Sequence, residues 1–490
     1  MIHFIILFLI CFLPCAALGA GEVNDTPKVY DVVIVGGGIA GLTAAYNLDD
    51  YDVLLLEMKK EVGGRASTGQ YRTVSFARGA EYLGKPEDAL AEMIDELGLT
   101  LREIPAPADI VFRGGKFYVG ELGKARLLVE KSNIGEFNRF ARRLQEMYDT
   151  YDEIPDISLK GELARMDNIT AKQWFDENHF PQIYHEVYNV TARGLFGAAL
   201  DEISALAVLP EFAFDFDGFE GVDDEDELAL ELSETDGSTG MYTFDKGIGA
   251  IPVALSQDLG DSIRTNTRVT AIARVGELFE VSCIENGNKE LSYRAEAVII
   301  ATSAAVALDI GDGALSGRQR QLLSSVEYAP YATIALFSDS PIFDKGFDLA
   351  IEDGNILTDI YYASWVADHY LPRKGENRDA WGSVICAAPK SYRDHSLLEL
   401  SDKELLSEVL VAIDKVLPGS SAHVVGHEIT RFRHGFPVMT PGSYQRMVEL
   451  DKVDGQGLIL AGDYLIYPTF EAAASSGYLA AEKAIEWLSD

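Results

Sequence analysis

The sequence predicts an α/β protein in which a Rossmann-like nucleotide-binding domain, built from discontinuous segments, carries an α+β domain with a helical part. Three features predict it. Val32-Val33-Ile34-Val35 reads as a buried parallel strand and leads directly into Gly36-Gly37-Gly38-Ile39-Ala40-Gly41 and a small-residue stretch. Near the other end, Leu458-Ile459-Leu460 runs into Ala461-Gly462-Asp463 and a second small-residue stretch. Between them, apolar residues recur at helical spacing, as in Glu92 to Leu97 and Phe137 to Tyr151.

A chain of 490 residues has room for two or three domains and a large core. Its 47% apolar and 24% charged residues suit a soluble globular protein, and no internal repeat is visible. Ile2 to Leu18 is almost wholly apolar and ends in small residues, so residues 1–20 read as a signal peptide, although no Lys or Arg precedes the run. This predicts a secreted or periplasmic protein. The alternative is a membrane anchor, for which a Pro14-broken run is short against ~30 Å of hydrocarbon. No later segment is long and apolar enough to span, so no stable membrane span is expected.

The net charge of −37 excludes nucleic acid and anionic lipid as natural partners. It leaves two readings open, solubility and a preference for cationic substrates. Beyond the leader only Cys283 and Cys386 remain, too few for a disulfide framework or a zinc pattern, and both read as buried packing residues. No metal site is expected.

Gly36, Gly38 and Gly41 have the GxGxxG spacing. The first makes the tight turn, the second lets a pyrophosphate approach the backbone, and the third permits close helix–strand contact. A second strand, Val53 to Leu56, ends in Glu57, 21 residues beyond Gly36, where an acid accepts hydrogen bonds from ribose hydroxyls and disfavours a 2′-phosphate. Gly63-Gly64-Arg65 follows, then Gly79-Ala80-Glu81-Tyr82.

With these motifs the chain resembles the flavin amine oxidase superfamily, which includes monoamine, polyamine and L-amino-acid oxidases, protoporphyrinogen oxidase and the carotene desaturases. The resemblance implies FAD rather than NAD, with Gly64, Arg65, Ala80 and Glu81 beside the cofactor. Thr191 to Gly197 resembles the family's helical substrate segment. Val269 matches the position whose backbone contacts adenine, and the strand Ala297 to Thr302 returns to the nucleotide domain. Gly462 and Asp463 match the second FAD motif. Phe470, Glu471 and Ala472 open a helix whose N-terminus points at the polar edge of the flavin.

Two departures matter. Thr333 stands where many amine-oxidising members carry a Lys near flavin N5, and Lys345 lies beyond that strand. Thr469 stands where monoamine oxidases place a cage Tyr, with Tyr467 and Phe470 adjacent. The segment holds no Cys, so FAD is expected to bind noncovalently. Desaturase-like members work without that Lys.

The expected nucleotide domain comprises residues 28–84, 240–305 and 452–490, and the substrate domain residues 85–239 and 306–451. The expected activity is hydride transfer from a substrate C–H to flavin N5. It is read as oxidation of a C–N bond in a small molecule, an amine, with oxygen or another electron acceptor. C–C desaturation is the alternative, and a flavoprotein without turnover is a third reading. Tyr331, Thr333, Tyr467 and Phe470 are the candidate catalytic residues. Trp365 and Phe436 are further substrate-facing candidates, and Arg431 and His434 lie in a stretch that reaches towards the family's active site. Residues 194–245 lack Lys and Arg, and Asp223 to Glu227 is an acidic run. It reads as a solvated loop on a helical lid, a calcium site without EF-hand spacing, or an acidic funnel for amines.

Overall fold

The computed structural model describes residues 28–216, 219–234, 238–351, 356–371 and 380–489. The leader expected at residues 1–20 lies outside the described residues.

A seven-stranded sheet forms around the first glycine motif. Val29–Val35 lies between Val53–Leu56 and Lys289–Ile300 and is parallel to both. Leu458–Leu460 pairs in parallel with Val298 to Ile300, so the two chain ends share one sheet. Val33, Ile34, Leu55, Val298 and Ile299 are fully buried, which matches their unbroken apolar runs: a strand covered on both faces has no polar side. Thr267–Val275 and Leu278–Glu285 extend the sheet as antiparallel strands, with a bulge between Val269 and Ala271.

A second seven-stranded sheet, mostly antiparallel, stands beside it. Its order is Val424–Val438, Glu327–Ser338, Trp381–Ala387, Leu357–Tyr362, Asp348–Ile351, Asp109–Arg113, Lys116–Val119. The helices Gly120–Lys131, Ile134–Tyr148, Ala171–Glu177, Gln182–Phe196 and Ala205–Phe214 pack into one aromatic-rich core with Phe140, Trp174, Phe175 and Tyr188.

The stretch from Pro86 is less helical than its periodicity predicts. Leu101–Glu103, Asp109–Arg113 and Lys116–Val119 are strands. Leu101–Glu103 and Asp109–Arg113 pair with Tyr242–Phe244 and Asp348–Ile351, which are remote in sequence, and such pairing overrides local pattern. Lys116–Val119 closes a hairpin on Asp109–Arg113. The acidic run is not a plain loop. Asp224 Oδ1 accepts from the backbone N–H of Asp226 and Glu227 at 3.0 and 2.9 Å, and the run opens the helix Glu225–Glu234.

The helix Phe470–Ser489 lies against Ile39–Tyr46 with almost no space between backbones. A Cβ at Gly477 would sit 2.2 Å from the Ala40 carbonyl oxygen. Gly477→Val should therefore push the two helices apart, destabilise the fold by roughly 1–3 kcal/mol, and lower the bound flavin recovered on purification. Thermal melting and flavin absorbance measure both.

Candidate active site

One cavity of about 2240 Å³ runs from the glycine turn to the second sheet. Its nucleotide end is lined by Gly36, Gly38, Ile39, Ala40, Glu57, Gly64, Arg65, Ala80, Val269, Thr302, Gly462 and Asp463. Gly41 lies behind it: a Cβ there would meet the Gly36 carbonyl oxygen at 2.0 Å, so it serves packing. At Gly38, by contrast, a Cβ would meet nothing within 4 Å, which leaves the cradle open to a ligand. Gly38 also begins the helix Ile39–Tyr46 with no side-chain cap, so that helix end presents its N–H groups to the cavity.

Glu57 is buried. Its Oε2 accepts from Gly37 N–H and its Oε1 from Lys59 N–H, both at 2.7 Å. Each carboxylate oxygen can accept a second bond, which suits a ribose diol. Arg65 donates from Nη1 to Asp463 Oδ2 at 2.6 Å and from Nη2 to Oδ1 at 2.9 Å. A third bond runs from Nη1 to the Gly435 carbonyl at 2.9 Å. The Arg65 side chain therefore fixes Asp463 and the Gly435 loop. Gly462 N–H is held by Ser476 Oγ at 2.8 Å, and the Thr469 hydroxyl caps Ala472 N–H at 3.2 Å. Glu471 accepts from Gly84 N–H, so its carboxylate joins the final helix to the loop after Glu81. These residues fit FAD: an open phosphate cradle, a ribose acceptor and a helix terminus line one continuous cavity.

At the other end, Tyr331, Phe436, Tyr467 and Phe470 line the cavity. Tyr331 and Phe436 meet edge to face at 4.9 Å, and the Tyr467 hydroxyl donates to the Ala207 carbonyl at 2.6 Å. His434 lines the cavity beside Ser303, with Nδ1 2.8 Å from the serine Oγ.

Three candidates sit elsewhere, and Lys345 lies beyond the strand Glu327–Ser338. Thr333 is buried off the cavity, its hydroxyl donating to the Arg78 carbonyl at 2.8 Å. Trp365 Nε1 donates to the Pro105 carbonyl at 2.7 Å and does not line the cavity. Arg431 serves the second sheet's outer side, bonded to the Leu397 and Leu400 carbonyls and to Asp402. Lys345 lies over the Phe117 ring, 5.8 Å from its centroid.

Apart from Glu81, which the motifs place beside the cofactor, the cavity's carboxyl groups are the feature that motif reasoning missed. Glu81, Asp109, Glu211, Asp348 and Asp359 all line it. Burial pushes Glu81 up to about 8, and burial with Glu471 and Asp215 nearby pushes Glu211 up to about 7. Burial also raises Asp359 to about 6 and Asp348 well above its ordinary value, with Asp359 and Asp109 adding repulsion to the latter. The available signal was an acid at inward positions of strands otherwise made of apolar and aromatic residues, as in Leu357-Thr358-Asp359-Ile360-Tyr361-Tyr362. Among the described residues, no cluster of His, Cys, Asp and Glu is arranged to hold a metal.

Two outcomes are expected. Gly38 has a φ of −74°, which any residue adopts, so Gly38→Val should fold normally yet fill the cradle. FAD affinity should fall roughly tenfold to a hundredfold, matching ~1–3 kcal/mol of steric conflict, as fluorescence titration would measure. Between pH 4.5 and about 8 the unfolded chain ionises Glu81 while the folded protein keeps it protonated. Folding there takes up a proton, and stability falls as pH rises. Glu81→Gln should therefore narrow the difference between the melting temperatures of the FAD-free protein at pH 5.5 and pH 8.

Residues 39–485 match the family of flavin-containing amine oxidoreductases. The flavin-containing amine oxidase of Oncorhynchus mykiss is 26% identical over 288 residues, 56% of this chain and 50% of that protein. Across the curated relatives it matches, the chain spans about a fifth to three fifths of their length. Cyclohexylamine oxidase from Brevibacterium oxydans has the same fold, with a TM-score of 0.69 and 19% identity over 94% of this chain and 100% of that one. So does a wild-type putrescine oxidase bound to putrescine, with a TM-score of 0.71 and 17% identity over 94% and 100%. No helix among the described residues is long and apolar enough to cross a membrane. The chain belongs to the flavin-containing amine oxidoreductase family, and FAD is the cofactor that family implies for this cradle.

Proposed function

We propose that the protein oxidises a cationic amine at the carbon beside its nitrogen, with molecular oxygen as the final electron acceptor. The observation that carries this reading is the charge of the cavity beyond the cradle. Its carboxyl groups outnumber its cations, and three of the cations that line it are already engaged. Lys124 holds Asp215 at 2.5 Å, Arg113 holds Glu186, and Arg65 holds Asp463. A positively charged substrate supplies the counter-charge that the walls lack, whereas an anionic one would meet buried carboxylates.

Bound FAD supplies the hydride acceptor, and the chain's own residues do the remaining work. Tyr331, Phe436, Tyr467 and Phe470 offer an apolar, water-excluding surface to the hydrocarbon part of the substrate. Thr333 is short and committed to Arg78, so proton handling falls to other groups. The uncapped helix end at Gly38, Glu57 and the Arg65–Asp463 pair hold the cofactor's phosphates, ribose and ribityl chain in this reading.

Anaerobic absorbance of the FAD-loaded protein tests it against benzylamine, cyclohexylamine, putrescine and amino acids. The flavin band should bleach with at least one amine and return in air with one equivalent of peroxide. A flavin unmoved by every amine, or bleached and returning without peroxide, would sink the amine–oxygen reading and favour C–C desaturation or another acceptor.

A further inference from the structure

The carboxyl groups at the substrate end are arranged in a defined order. Asp109 pairs in register with Asp348 on the adjacent strand, and Asp348 pairs with Tyr361 on the next. Asp359 lies two positions from Tyr361, opposite Ala350, so its side chain emerges from the same sheet face. Three strands therefore present three carboxyls to one wall of the cavity. Like charges facing one another across strands destabilise a sheet, and a buried charge without a partner costs more still.

The partner is missing at identifiable atoms. Asp348 Oδ1 and Glu81 Oε1 are shielded from solvent and have no hydrogen-bond partner among the described residues. Asp359 is 8% exposed, and its Oδ2 lies against Gly194, where a Cβ would sit 2.6 Å away. Native proteins seldom leave such oxygens unsatisfied unless a ligand completes them.

We propose that the Asp348–Asp359 pair receives the substrate's ammonium group and takes one proton from it. This rests on the amine-oxidation reading above. An N–H bond of R–CH2–NH3+ breaks, an O–H bond forms on the ionised carboxylate, and nitrogen keeps the electron pair. That lone pair then stabilises the iminium formed as the hydride leaves the neighbouring carbon for the bound cofactor. Asp359, the less raised of the two, is the acceptor, and Asp348 is its protonated neighbour. The groups facing them are Asp109 from the next strand, Glu81 and Tyr82 from the loop, Tyr361, which hydrogen-bonds Asp348, from the strand between, Tyr331 and Cys386 from the inner strands, and Arg193 from the helix. Only Arg193 is cationic. It donates to the Ala388 carbonyl at 2.9 Å and the Pro389 carbonyl at 3.3 Å, and it lowers Asp359 against the rise that burial imposes.

The test uses the FAD-loaded protein, the amine that bleaches it, and tert-butylamine, which has no hydrogen on the carbon beside nitrogen. The wild-type kcat/KM should fall as pH drops through about 6. Asp359→Asn should lose that limb and about 10²–10⁴-fold in the anaerobic rate of flavin bleaching. Asp348→Asn, an amide in place of a protonated acid, should lose much less. Binding of tert-butylammonium, followed by flavin absorbance and an indicator dye at pH 8, should release no net proton from wild type. Asp359→Asn should release about one, because the amine then binds neutral. Release of a full proton by wild type, or an acid limb that survives in Asp359→Asn, overturns the proposal while leaving amine oxidation standing. If no amine bleaches the flavin, both fall together.

Discussion

The bidentate pair between Arg65 and Asp463 is the interaction on which the rest of the site depends. It joins the loop after Glu57 to the end of the last strand, and a third bond draws in Gly435 from the second sheet. Charge-assisted, two-point contacts of this kind fix orientation as well as distance. Asp463 is almost fully buried, so Arg65 is also what makes that carboxylate tolerable in the interior. Without it, the phosphate cradle, the flavin end of the cavity and the aromatic wall would have no common anchor.

The two ends of the cavity obey opposite electrostatic rules. At the cradle, charge is met in place: Glu57 by two backbone N–H groups, Asp463 by Arg65. At the substrate end, the carboxyls outnumber the cations that face them, Arg193 being the one beside Asp359, and burial raises Glu81, Asp348 and Asp359 above their ordinary values. A site organised this way is expensive when empty and favours what arrives with positive charge. The apolar cores around it, including Phe140, Trp174 and Phe175, supply the stability that such a wall consumes.

Much of the nucleotide end was legible in the sequence because its signals are local. Gly36 to Gly41, Glu57 and the run ending at Asp463 each carry their meaning within a few residues of a strand. The substrate end was not, because its geometry is made by pairing across long separations. Asp109, Asp348 and Asp359 look unrelated until three strands lie side by side. Thr333 shows the limit of positional matching: the strand is where the motif puts it, yet a short hydroxyl turns to the Arg78 carbonyl rather than to the cavity. Trp365 and Arg431 failed for another reason, since aromatic or charged character says nothing about which side of a sheet a residue serves. Peptide carbonyls claim both of them.

The sheet that carries the cradle takes strands from both chain ends: Val29–Val35 from one and Leu458–Leu460 from the other. Its first helix is sealed by Gly477 of the last. Cofactor capture therefore has to wait until the chain has been made through Gly477. Until residues 458–477 have left the ribosome, the glycine turn has neither its sealing helix nor Asp463, and a product cut short before residue 458 would have no route to the finished pocket. Loss of a few dozen residues far from the glycine motif would abolish flavin as surely as loss of the motif itself.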